Sequence, residues 1–239
     1  MVEIIEGIID RRILVNYRID PSVLRRILPE PFEPRLIGDH ALGGICLIRF
    51  KKMRPAGMPQ ILGTSSENGT HRFCVQWKDK GKLRTGIYVK RRFSNSRLHV
   101  FGSDRVFPGS LDYAHFQVEE SDGHYRVEFR SDDGAFAKVQ VHETQDFPTD
   151  SIFENIEAAS SDFEQDKIGF SPAKTKGSFK GVQLNTNDWS LSPLAVKSVH
   201  SSLFLDTDLF PSGSTELDHS LLMKNIKHSW QDVETICCS

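Results

Sequence analysis

The residues best suited to chemistry sit in a few polar stretches set between apolar ones. The first is Tyr17-Arg18-Ile19-Asp20-Pro21, the second runs from Thr64 to Arg72, and the third from Tyr88 to Arg97. His115 and the run His200-Ser201-Ser202 stand in two further segments. Arg18, Arg91, Arg92 and Arg97 carry planar, permanently charged forks that fit a carboxylate or a phosphate. Glu67 can act as an acid or base if burial raises its pKa toward neutrality. Beside several arginines it would instead stay ionised as a salt-bridge partner, and the sequence alone leaves both open. Arg18 equally suits a salt bridge at a helix start, and Lys90-Arg91-Arg92 a solvated strand end. The substrate-binding candidates are Arg18, Arg91, Arg92, Tyr88, Asn68, Ser96 and His115, with Glu67 as the acid/base.

Several other chemistries lack their motifs. There is no G-x-S-x-G elbow and no glycine-rich phosphate loop. The nine histidines show no H-x-x-x-H or H-x-H spacing, so no metal site and no cofactor is expected. His71, His115, His200, His219 and His228 could serve a metal only by converging in three dimensions. Cys46, Cys74, Cys237 and Cys238 form no C-x-x-C pair and suit a reduced, cytoplasmic protein. A formal net charge of −2 excludes the basic footprint of a nucleic-acid binder. The longest apolar run, Ala41 to Ile48, is too short to cross a bilayer, so no membrane partner is expected. The short cationic run points to a small anionic ligand instead.

These residues need a scaffold, and the patterning predicts one that is mainly β. With 38% apolar and 26% charged residues the chain can bury a core, and it reads as a single domain over 1–239 with poorly ordered final residues. Asp20 and Pro21 start a helix whose stripe is Val23, Leu24, Ile27 and Leu28, stopped by Pro29. Ser151 and Glu154 read as the capping box of a second helix, with Ile152, Phe153, Ile156, Ala159 and Phe163 along one side. Phe73-Val75-Trp77, Leu83 to Val89, Phe116-Val118, Tyr125-Val127-Phe129 and Ala137-Val139-Val141 alternate as strands around turns at 79–81, 122–123 and 133–134. Val196 to Leu205 and Leu221 to Ile226 extend the set. The expected fold is α+β and mainly β: a large curled antiparallel sheet forming a barrel or cone, with a few short helices.

Ile13 to Pro21, continued by Leu28-Pro29-Glu30-Pro31-Phe32-Glu33-Pro34, resembles the start of the acetoacetate decarboxylase-like proteins. Gly44 to Arg49, Ser65 to Asn68, Tyr88 to Arg92, Phe107-Pro108-Gly109 and Arg130 to Gly134 resemble more closely the uncharacterised YqjF-like branch of that superfamily, over nearly the whole chain. The resemblance implies a cone with an internal site, with Arg18 and Glu67 at positions that line it. It also implies a lysine pair whose second member forms a Schiff base. Counting from Arg84-Thr85 places Arg91-Arg92 on that pair; aligning on Tyr88 places Lys90 and Arg91 there. Neither register gives a lysine nucleophile. A shifted Lys90 is the remaining route to one, and strict strand alternation would put it on the same face as Arg92 and opposite Arg91. The expectation is therefore a pocket for a small carboxylate-bearing, keto-acid-like or otherwise anionic molecule. Any activity would be of lyase or hydrolase type without an imine, and the alternative is a non-catalytic binding module.

Overall fold

Ala41–Ile48 is buried along its whole length, because the strand that carries it is covered on both faces. The computed structural model describes residues 4–101, 111–173 and 175–237. The final residues, expected to be poorly ordered, and Phe107-Pro108-Gly109 lie outside the described residues.

Along the chain run β1 (Ile4–Ile19), α1 (Pro21–Ile27), β2 (Glu33–Pro34), β3 (Leu36–Ile37), β4 (His40–Pro55), β5 (Thr64–Asp79) and β6 (Lys82–Ser94). There follow α2 (Arg97–Phe101), β7 (Leu111–Ser121), β8 (His124–Ser131), β9 (Phe136–Glu143) and α3 (Ile156–Gln165). The chain continues through β10 (Ile168–Pro172), β11 (Ser178–Thr186), β12 (Ser192–Ser201) and β13 (Thr215–Cys237). The strands form one sheet in the order β11-β10-β6-β7-β8-β9-β12-β13-β1-β4-β5-β2, and extra pairings of β11 with β13 and of β5 with β6 curl it back on itself. This is the mainly-β curled sheet expected from the pattern. Two pairings, β10 with β6 and β6 with β7, are parallel, so the sheet is not wholly antiparallel.

The predicted elements hold with three corrections. Asp20 caps α1, its carboxylate accepting from the Ser22 N–H at 2.7 Å. The second long helix, α3, starts at Ile156 under an Asn155 cap instead of at Ser151. The Ser151 hydroxyl bonds Asp218 at 2.6 Å, and Asp218 also takes the Ile152 N–H, so tertiary bonds use up the predicted capping box. β12 ends at Ser201, where the chain turns, and β13 extends far beyond the predicted Leu221–Ile226 segment. No described helix is long and apolar enough to cross a membrane.

Two apolar cores lie against the sheet. One is centred on Phe32, which is fully buried and meets Trp77, Tyr88, Phe170 and Phe179 with ring centroids 5.0–5.8 Å apart. The other packs α3, through Ala159 and Phe163, together with Phe153 just before it, against Leu14, Cys46, Cys74 and Ile87. Phe32→Ala is expected to lower unfolding free energy by about 3–5 kcal/mol in urea titrations, because four rings lose their common partner.

Candidate ligand-binding site

Seven strands form a closed circuit of pairings: β1-β4-β5-β6-β10-β11-β13 and back to β1. Each of the seven lines one cavity of about 120 Å³, six through side chains and β10 through Gly169. This is near the scale of an apolar cavity of ~150 Å³ that holds benzene. Most of its wall is apolar, with Phe163 from α3, Trp189 and Trp230 among the larger surfaces.

Register explains which polar residues reach it. On β5, Asn68, Thr70 and Arg72 line the cavity, while Glu67, Gly69 and His71 point to the opposite face. Antiparallel pairing sets Cys46 of β4 between Leu14 of β1 and Thr70, and Thr70 in turn beside Arg92 of β6. Arg12 and Arg72 stand diagonally to either side of that row. Gly44 lies between Asn16 and Arg72 in the ladder, so no side chain blocks Arg72 from reaching Asn16, whose amide oxygen accepts from its guanidinium.

The electrostatics are one-sided. Arg12, Arg72, Arg92 and Lys167 face the cavity against a single carboxylate, Asp166. Arg72 is only 2% exposed; its Nε has no hydrogen-bond partner, and its guanidinium carbon lies 4.9 Å from the centre of the Phe163 ring. Burial works against its charge, as it does for Arg92, whose guanidinium is lowered to about 10. Arg12 Nε donates to Cys46 Sγ at 3.4 Å. Among the described residues neither Arg12 nor Arg72 has a carboxylate within ion-pair distance. Asp166 is already engaged: Arg35 forks to Asp162 at 2.7 and 2.8 Å and reaches Asp166 at 2.8 Å, tying the end of α3 to the sheet. Burial raises the Asp166 carboxyl above its usual range, and Arg35 opposes that.

Two of the sequence-predicted residues, Asn68 and Arg92, line this cavity. The others are placed elsewhere. Glu67 is bound by Arg11 at 2.6 Å and by Arg49 at 2.5 Å, and Glu120 closes a four-membered network with the same arginines. Arg18 sits at the end of β1 with Glu216 at 3.2 Å and Asp218 at 3.3 Å, the salt-bridge alternative read from the sequence. Arg91 pairs with Asp112 and Asp133, both at 2.7 Å. Tyr88 belongs to the Phe32 core, and burial pushes its hydroxyl up to about 12. The Ser96 hydroxyl accepts from the His99 N–H inside α2, and exposed His115 packs edge-on to Tyr113.

Lys90 corrects the alternation argument. The ladder slips between His71 and Arg72, so that Arg91 opposes His71 and Val89 opposes Arg72. Lys90 is the extra residue of this bulge. Arg92 therefore lines the cavity and Lys90 does not, although they are two residues apart. Burial lowers the Lys90 ammonium and nearby Asp206 opposes the shift.

Sequence reasoning did not single out Arg12, Cys46, Thr70, Arg72 or Asp166. Thr70 and Arg72 lie in the polar stretch from Thr64 to Arg72, but Glu67 and His71 around them are polar too, so no alternation marked which face would meet the cavity. Of the five histidines that could have served a metal only by converging, His71 bonds Ser201 Oγ at 2.7 Å and His219 bonds Asp218. No group of three His, Cys, Asp or Glu side chains among the described residues could hold a metal ion.

Comparisons with known proteins agree with the fold. A family model for DUF2071, described as an uncharacterized conserved protein (COG2071), matches residues 9–222. No curated protein matches the chain. The structure is similar to acetoacetate decarboxylase from Legionella pneumophila (TM-score 0.61, 13% identity, 97% of this chain and 87% of that one). It is also similar to an acetoacetate decarboxylase-like enzyme from Sphingomonas wittichii RW1 (TM-score 0.61, 9% identity, 99% and 93% covered). A third similar structure is the enduracididine biosynthesis enzyme MppR complexed with pyruvate (TM-score 0.57, 12% identity, 100% and 91% covered).

The two ion pairs of Glu67 carry a stability prediction. Glu67→Ala is expected to cost about 3 kcal/mol of unfolding free energy, because Arg11, 2% exposed, loses a buried partner. His228 gives a pH test. It is buried against Phe50, and burial, assisted by Arg12 and opposed by a hydrogen bond to the Ile226 backbone, lowers its pKa to about 4. The folded state then binds fewer protons than the unfolded one, so this stability is present above pH ~6.5 and is lost as pH falls toward 4. Relative to wild type, His228→Phe should gain about 3 kcal/mol of unfolding free energy between pH 7 and pH 4, read from denaturation at each pH.

Proposed function

Since the chain belongs to the DUF2071 family and carries the acetoacetate decarboxylase-like fold, we propose that it binds a small organic anion in the strand-ring cavity and uses no Schiff base. The supporting observation is the pair Arg12 and Arg72: two guanidiniums in an apolar-walled cavity, without a carboxylate partner among the described residues. A buried charge without a counter-ion is costly, and a ligand carboxylate would supply the missing partner. Arg92, Asn68 and Thr70 add donors along the same face, and Phe163, Trp189 and Trp230 fit an apolar body.

The imine route is disfavoured by position as well as by residue type. The bulge takes Lys90 off the cavity face, and arginine, permanently protonated, stands where the ladder turns inward. Glu67, held by two arginines on the far face, does not supply the acid or base. Asp166 favours a second reading in which the bound anion also reacts. Its carboxyl faces the cavity, and burial raises its pKa, so it could exchange a proton with a ligand.

Calorimetric titration with acetate, pyruvate, acetoacetate and benzoate tests the site. At least one is expected to bind to wild type, and Arg12→Gln to weaken it about ten- to hundred-fold, the loss of one charge-assisted hydrogen bond. Absence of binding by all four acids, or equal affinity in the variant, would overturn the assignment.

A further inference from the structure

We infer that Cys46 is a reactive thiol placed to attack small carboxylates that carry an electrophilic carbon. The inference rests on the anion-binding reading of the same cavity and adds a nucleophile to it. Cys46 lines the cavity from β4, and its Sγ accepts from Arg12 Nε at 3.4 Å. Its ladder neighbour Thr70 and the diagonal Arg72 lie on the same face, within the ~7–8 Å that long side chains span across a sheet. Arg72, 2% exposed and with its Nε unpartnered, is the independent sign that a ligand belongs there. An anion held by Arg12 and Arg72 would have its neighbouring carbon beside Sγ, so a bimolecular attack becomes an effectively intramolecular one.

The ligand class follows from the parts. The guanidiniums take the carboxylate, the apolar wall takes a short hydrocarbon body, and sulfur prefers a soft electrophile. An α,β-unsaturated acid meets all three. The Sγ–C bond forms at the β carbon, the π pair moves to the α carbon, and the thiol proton ends there. The addition is redox-neutral, needs no second reactant and is reversible.

Cys74 supplies the contrast within the fold. Both thiols are buried, Cys46 at 2% and Cys74 at 0% exposed, but Cys74 is not among the cavity-lining residues, and burial pushes its thiol up to about 11. Cys237 is exposed and serves as the reference thiol.

The test compares iodoacetate with iodoacetamide on the full chain, following each cysteine by peptide mass spectrometry. In both reactions an S–C bond forms, iodide leaves and the thiol proton goes to solvent, so the reagents differ chiefly in charge. The iodoacetate-to-iodoacetamide rate ratio at Cys46 is expected to exceed that at Cys237 by tenfold or more, and to collapse toward it in Arg12→Gln. A carboxylate that binds in calorimetry should slow Cys46 and leave Cys237 unchanged. If Cys46 stays unmodified in the folded protein, or shares the Cys237 ratio, the inference is overturned. Calorimetry on Cys46→Ala separates the two claims: retained carboxylate binding with an inert Cys46 removes only the nucleophile, whereas no binding in wild type removes the site as well.

Discussion

A strand covered on both faces has no side on which to leave a charge in water. That constraint governs β4, β5 and β6, which run between the Phe32 core and the α3 core. Every charged residue on these strands must find a counter-ion or a cavity, or come to the edge of the sheet. Glu67 solves the problem with Arg11 and Arg49, and Arg91 with Asp112 and Asp133. Arg72, one step off the Glu67 face, has only Asn16, a distant cysteine sulfur and an aromatic ring. The two solutions alternate along one strand, and the unsolved face is the one that opens into the cavity.

The bulge at Lys90 shows how one residue changes the chemistry available. Without it, β6 would carry Lys90 and Arg92 on one face, and an amine would stand on the cavity side. With it, Val89 and Arg92 face inward in succession while Lys90 is taken out of the ladder. The slip exchanges an amine for a guanidinium inside the ring. The same backbone path thus favours holding an anion over capturing a carbonyl as an imine.

Much of the architecture was legible. Alternation and turn residues gave the hairpins from β5 to β6 and from β7 through β9, whereas the apolar run Ala41–Ile48 was read only as too short to cross a bilayer and proves to be a strand buried along its length. The site was legible only in part. Asn68 and Arg92 were reached because they sit in dense polar stretches. Arg12 stands in the charged triplet Asp10-Arg11-Arg12, where nothing separates it from Arg11, and Cys46 looked like core. Their role depends on which strands pair: Arg12, Cys46 and Thr70 are far apart in sequence and become neighbours through the β1–β4–β5 register. Connectivity of that kind follows from long-range packing, which local patterning does not encode. Ser151 failed for the same reason, since a helix cap loses to a buried carboxylate that offers two hydrogen bonds.

Arg72 bears most directly on whether the cavity is a site or a packing defect. A void left by imperfect packing would be lined by apolar groups alone, because nothing else tolerates its low dielectric. Here the strand ring surrounds a guanidinium, and Gly44 is placed so that no side chain covers the path between Arg72 and Asn16. Holding that charge away from solvent disfavours the folded state, and a Leu or Met there would relieve the penalty. A bound anion reverses the sign: it turns the least favourable group of the interior into one half of a desolvated ion pair. On the proposed reading, that penalty is what an anionic ligand would relieve.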